Sequence, residues 1–223
     1  MKRVLTIVLS LVMIVASCFA TVSAETEVNT AVDITMQEGA ALRLNEVNGI
    51  RFYTVVDEET EEQINNLIKA GYEVEMGTLI YPKDLLGSNE LTHELGDNIL
   101  DVKYQARNSD GTVSYFEDGT GFRGFVGSVV NIKLKYTNYS YDNGNKGRYF
   151  VARGYVKVTG ADSEPVYSYA NYYDNNINNN SRTLANLAKS YMADSTGGYS
   201  ELSDEQKALV QSWTSLEYWT PAY

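Results

Sequence analysis

The chain has 223 residues, a formal net charge of −11 and one cysteine. That length is enough for one domain, or two small ones, held together by a hydrophobic core alone. The acidic balance argues against nucleic acid and anionic membrane surfaces as partners and leaves neutral ligands such as glycans open.

The first segment, "MKRVLTIVLSLVMIVASCFATVSAET", reads as a secretory signal peptide. Lys2 and Arg3 form a basic start, an apolar run follows to about Ala20, and Val22-Ser23-Ala24 supplies small residues for cleavage after Ala24. Val15-Ala16-Ser17-Cys18 also fits a loose lipoprotein box, with Cys18 as the acylated residue. The apolar residues after Cys18 favour simple secretion, with a lipid anchor at the cell surface as the alternative. Loss of Lys2 and Arg3 takes the formal charge from −11 to about −13. The mature chain then has neither a disulfide nor a thiol nucleophile. No second apolar segment is long enough to span a bilayer, and the terminal "EYWTPAY" is not a sorting motif. The expected organisation is a signal peptide over 1–24, a polar leader over 25–35 and a single globular domain over 36–223.

In chain order, "GIRFYTVV" is dense in aromatic and β-branched residues and predicts a strand. "TEEQINNLIKAG" predicts a helix, with capping-box spacing between Thr60 and Gln63, a buried stripe of Ile64, Leu67 and Ile68, and Gly71 as its stop. "YEVEMGTLIYP" predicts a strand with a bulge at Gly77, and residues 83–98 read as short polar turns. "NSDGT" and "EDGTG" each carry the Asp-Gly hairpin dipeptide. "VVNIKLKYT" alternates Val130, Ile132, Leu134 and Tyr136 against polar residues, and "YDNGNKG" is a turn. "RYFVARGYVKV", with large residues on both faces, predicts a central strand. After the stretch "YSYANYYDNNINNN", a helix is predicted with Leu184, Leu187, Ala188 and Tyr191 on one stripe. A last helix opens on a capping box, Ser203 to Gln206, and carries Leu209, Val210 and Trp213. This order implies an α+β fold: an antiparallel sheet or sandwich, one helix inserted early and two C-terminal helices.

The segments "GAALRL", "GIRFYTVVD", "GTLIYPKDLL", "YFVARGYVKV", "YSYANYYDNNINNNSRTLANLAKSYMAD" and "LSDEQKALV", in this order, resemble a poorly characterised domain of secreted and cell-surface proteins of gut Clostridia. That domain often sits beside leucine-rich repeats, immunoglobulin-like domains, dockerins or glycoside hydrolases. The resemblance covers nearly all of residues 36–212 and rests on fold motifs. It implies an extracellular accessory role and assigns no active-site residue.

No catalytic residue, cofactor or metal is expected. The single His93, in "LTHELGDN", lacks a partner histidine four residues on, and no Gly-x-Ser-x-Gly elbow accompanies it, so it reads as a surface-loop residue. Asp and Glu total 29, too many for any pair to stand out as glycosidase acids. The turns around Asp174 do not follow the spacing of a calcium loop. Arg43, Arg51 and Arg153 stand in apolar strand-like runs and fit either a wet face or a pairing with a carboxylate across strands.

Residues 167–180 hold four tyrosines and six asparagines. Tyrosines can stack on sugar rings while Asn and Asp bond to hydroxyls. The expected ligand-binding residues are therefore Tyr167, Tyr169, Tyr172, Tyr173 and Asp174, with Trp219 from the aromatic tail. Asn178 to Ser181 read instead as a turn that caps the next helix. The functional expectation is a non-catalytic extracellular module that binds a polysaccharide or a cell-surface protein. A purely structural or protein-interaction unit comes second, and a glycoside hydrolase third.

Overall fold

The computed structural model describes residues 28–44, 47–96, 98–119, 121–130, 132, 147–195 and 198–214. The segment read as a signal peptide, Cys18, most of "NIKLKYT" and Trp219 lie outside these residues.

Among the described residues, two five-stranded antiparallel sheets form the fold. The first contains β1 (Thr35–Met36), β2 (Ala41–Arg43), β3 (Gly49–Val55), β6 (Phe116–Glu117) and β7 (Arg123–Val130). In it β7 runs between β6 and β3, and β1 and β2 share the far edge of β3. The second contains β4 (Glu73–Pro82), β5 (Leu100–Tyr104), β8 (Phe150–Thr159), β9 (Val166–Tyr169) and β10 (Ser181–Arg182). Its order is β5, β4, β8, with β9 and β10 sharing the outer edge of β8. Helix α1 (Glu58–Lys69) follows β3, a single turn α2 (Lys83–Leu86) follows β4, and α3 (Leu184–Ala193) and α4 (Asp204–Thr214) close the described chain. The α+β fold expected from the sequence is the fold observed.

Alternation places one face of each sheet inside. Ile50, Phe52, Phe125 and Val129 from the first sheet meet Met76, Ile80, Ala152 and Val156 from the second. Glycines make room for side chains of the opposite sheet. A Cβ on Gly154 would overlap the side chain of Thr54, and one on Gly127 would overlap Thr78. Along one side the sheets are joined by main-chain bonds: Met36 N–H donates to Asn171 O at 2.8 Å and Asn171 N–H to Ile34 O at 2.9 Å. The stretch read as a polar leader thus contributes Val32 and Ile34 to the core.

Several local expectations hold. Ser203 and Gln206 form a reciprocal capping box, at 3.1 and 3.2 Å, and Val210 and Trp213 are buried. Both Asp-Gly segments turn hairpins, one closed by the Arg107–Val113 bridge and the other by β6 and β7. Leu67 is buried and Ile68 half-buried, as the stripe of α1 requires.

Others are corrected. Helix α1 starts three residues earlier than its apparent capping box, because the Asp57 carboxylate accepts from Thr60 N–H at 2.8 Å. That bond holds the Asp57 pKa below the usual carboxylate range. Gly77 is not a bulge: it pairs in unbroken register with Tyr155 and Lys103. Residues 83–98 are not merely polar turns, since Leu86 and Leu91 are fully buried against the outer face of the second sheet. In β7 it is Val129, not Val130, that faces the core. The cap of α3 is Thr183, whose hydroxyl accepts from Asn186 N–H at 2.9 Å. Asn180 is instead buried as a tie, accepting from Tyr173 N–H and donating to Gln37 O.

Candidate functional site

The outer face of the second sheet carries a dense cluster of polar and aromatic side chains. Strand register explains its layout. Tyr155 on β8 is flanked by Tyr169 on β9 and Gly77 on β4, and Gly77 is flanked in turn by Lys103 on β5. One row away, Lys157 stands between Tyr167 and Glu75. On the other side, Leu79 stands between Arg153 and Asp101.

Gly77 makes the cluster work. A Cβ there would lie 2.7 Å from Tyr155 Cζ, so the tyrosine ring lies across the bare glycine and reaches a strand beyond its neighbour. Its hydroxyl accepts from Lys103 Nζ at 2.6 Å and donates to Asp101 Oδ1 at 2.9 Å. Lys103 also donates to Glu75 Oε1 at 2.6 Å and meets Asp101 Oδ2 at 2.8 Å. Burial alone would lower the Lys103 pKa. The bonds to Asp101, Glu75 and Tyr155 outweigh it and hold the ammonium above its ordinary range. Burial pushes the Tyr155 hydroxyl up, against the pull of Lys103.

His93, read as a surface-loop residue, is wedged into this cluster. Its 3₁₀ turn (His93–Leu95) sets the ring edge-on to Tyr155, with centroids 4.6 Å apart, and 4.7 Å from Tyr167. Its Nδ1 lies 2.9 Å from the Tyr169 hydroxyl. Its Nε2 lies 3.5 Å from Asp101 Oδ2 without a hydrogen bond among the described residues.

The expected binding residues fall into two groups. Tyr167 and Tyr169 project from β9 onto this face, with rings 9° from parallel and centroids 6.0 Å apart. Tyr167 is 39% exposed, and Lys157 Nζ lies 5.9 Å from its ring centre. Tyr172 lies on the far side of Arg153, whose guanidinium sits 5.3 Å from the Tyr169 ring and 5.4 Å from the Tyr172 ring. Tyr172 is half-buried between both hydrophobic clusters, and burial, opposed by Arg153, lifts its pKa to about 12. Tyr173 and Asp174 occupy the 3₁₀ turn beyond it, where Asp174 (φ 50°) and Asn175 (φ 54°) are left-handed. Lys157, Tyr167, Tyr169, Arg153 and Tyr172 therefore form one strip in which cations and rings adjoin.

Of the three arginines singled out, Arg153 does reach a carboxylate. Its partner, Glu90 at 3.3 Å, comes from the covering loop and not from a neighbouring strand. Arg51 lies over the Phe116 ring at 5.4 Å. Sequence reasoning missed Glu75, Asp101, Lys103 and Tyr155. Their only signal was spacing by two in strands, "EVEMG", "DVK" and "YVK", which does not say which strands adjoin.

Among the described residues no group of three His, Cys, Asp or Glu side chains could hold a metal ion, and no helix is long and apolar enough to cross a membrane. No protein family, curated protein or solved structure matches the chain.

Proposed function

We propose that this chain is a non-catalytic extracellular module that binds a polysaccharide across the outer face of β8 and β9. The observation that carries the reading is the pair of near-parallel tyrosines, Tyr167 and Tyr169, on a strand that among the described strands pairs only with β8. Near-parallel rings on a stiff strand suit stacking on successive sugar rings, and Lys157, Lys103 and Asp101 supply polar groups on the same face. Export through the N-terminal segment, and membership of the clostridial accessory domain, belong to the same proposal.

The carboxylate pair supports binding over hydrolysis. Glycosidases keep two carboxyl groups apart with a sugar bond or a water between them. Here Lys103 occupies the space between Glu75 and Asp101 and bonds to both.

Affinity electrophoresis of the full chain against a panel of neutral polysaccharides tests the proposal. Retardation by at least one, abolished by Tyr167→Ala with an unchanged melting temperature, is the expected result. No retardation by any would pass the lead to a structural or protein-interaction role. Mass spectrometry of exported protein should find Glu25 at the N-terminus, and a lipid on Cys18 would establish the anchored form instead.

A further inference from the structure

A cavity with a distinct chemistry lies away from the tyrosine strip, between α2, β10 and α3. It has a volume of about 570 Å³ and is lined by Lys83, Tyr149, Asn178, Ser181, Arg182 and Asn186, with Lys189 beside them. In a chain of net charge −11, a pocket whose described lining holds Lys83, Arg182 and Lys189 and no carboxylate runs against the overall field. Among the described residues neither Lys83 nor Arg182 makes an ion pair. Asp84, next to Lys83, is occupied by Arg148 through two bonds of 2.7 Å.

The cations are held in place. Lys83 donates to the Asn178 amide oxygen, and its main-chain N–H donates to Tyr149 O at 2.9 Å. Arg182 Nη1 donates to Asn178 O at 3.1 Å and Ser181 O at 2.8 Å, which fixes the guanidinium plane while Nε and Nη2 keep further donors. Asn186 Nδ2 donates to the Tyr149 hydroxyl at 3.2 Å, leaving the phenol proton to point elsewhere. Ser181, 3% exposed, stands in the wall with a hydroxyl that has no hydrogen-bond partner among the described residues. Fixed donors with little carboxylate competition suit an oxyanion. The volume exceeds what a single inorganic anion fills and matches a small organic ligand, and the Tyr149 ring, 37% exposed, offers a flat apolar contact.

We infer that this pocket binds an acidic sugar residue, with Arg182 and Lys83 on its carboxylate or sulfate and Tyr149 against its ring. The choice of a sugar rests on the proposed polysaccharide binding; the anion chemistry does not, and the pocket shares no residue with the tyrosine strip. Calorimetric titration of the full chain with oligogalacturonate, with a sulfated dextran oligosaccharide and with inorganic sulfate tests it. One of the two acidic saccharides should bind, and Arg182→Gln and Lys83→Gln should each weaken it about tenfold or more, the scale of one lost hydrogen bond to a charged group. Binding of the first assigns a carboxylate and of the second a sulfate ester. Tyr167→Ala should leave this affinity unchanged while abolishing retention by neutral polysaccharide, so either site can fail without the other. The inference is overturned if neither saccharide binds, if the variants bind as the parent does, or if inorganic sulfate binds as tightly as the saccharide. Should Arg182→Gln lower the melting temperature, Lys83→Gln, at a half-exposed position on α2, decides the outcome.

Discussion

On their inner side, β4 and β8 present Met76, Thr78, Ile80, Ala152, Gly154 and Val156 to the opposite sheet. On their outer side the same strands present Glu75, Gly77, Arg153, Tyr155 and Lys157. Both sides use a glycine to admit a neighbour, but the neighbours differ. Gly154 admits Thr54 from another sheet, so the space is set by two backbones that cannot separate without opening the core. Gly77 admits the ring of Tyr155 from its own sheet, and that ring ends in a hydroxyl bonded to charges that water can still reach. The inner face is specified by shape and the outer by hydrogen bonding. The first should be far less tolerant, because packing has no substitute partner, whereas a surface network can exchange a lost partner for water.

The largest effect should come from Gly154→Val. Added volume between the sheets should cost about 3 kcal/mol or more, at or beyond the upper end of overpacking penalties, measured by urea denaturation. A loss below about 1 kcal/mol would mean that the sheets can part and that shape does not set the inner face. Tyr155→Phe keeps the ring over Gly77 but removes the hydroxyl from Lys103 and Asp101. Its cost should be about 1.5 kcal/mol, at the lower end for bonds to charged groups because Lys103 is part exposed. A cost equal to that of Gly154→Val would show the two faces to be equally rigid.

Thr78→Val separates shape from hydrogen bonding within the inner face. The Thr78 hydroxyl is buried without a hydrogen-bond partner among the described residues, so an isosteric apolar replacement should change stability by less than about 0.5 kcal/mol, or raise it. A clear loss would reveal a bond that the hydroxyl makes in solution. Tyr167→Ala, at the open edge of the outer face, should have the smallest effect, within about 0.5 kcal/mol in thermal melts. A larger loss would make Tyr167 a packing residue and remove the main support for stacking on sugars.

How legible each part was depended on the range of the interaction behind it. The capping box of α4 and the two Asp-Gly hairpins were readable because each involves residues a few positions apart. The cap of α1 is equally local but ambiguous in the sequence, since Asp57 and Thr60 both fit the capping pattern and Asp57 is the one that caps. Among the candidate binding residues, alternation in "VYSY" puts Tyr167 and Tyr169 on one face of β9. The Asp and Asn that follow favour a turn, which the left-handed Asp174 and Asn175 form, but nothing in the stretch showed that Arg153 separates Tyr172 from the strand tyrosines. The acidic total of the chain likewise concealed a cationic pocket, because net charge averages over surfaces that only folding separates.

By itself the sequence determined the α+β class, the central place of β8, the stop of α1 and the start of α4, because periodicity and capping are properties of short stretches. Tertiary structure alone decided which face of each strand met which partner. Tyr155 meets Lys103 across 52 positions of chain, His93 meets Tyr169 across 76, and Lys83 meets Asn178 across 95. Period-two alternation divides a strand into two faces but does not order the strands, so contacts of that length come into being only when the sheets assemble.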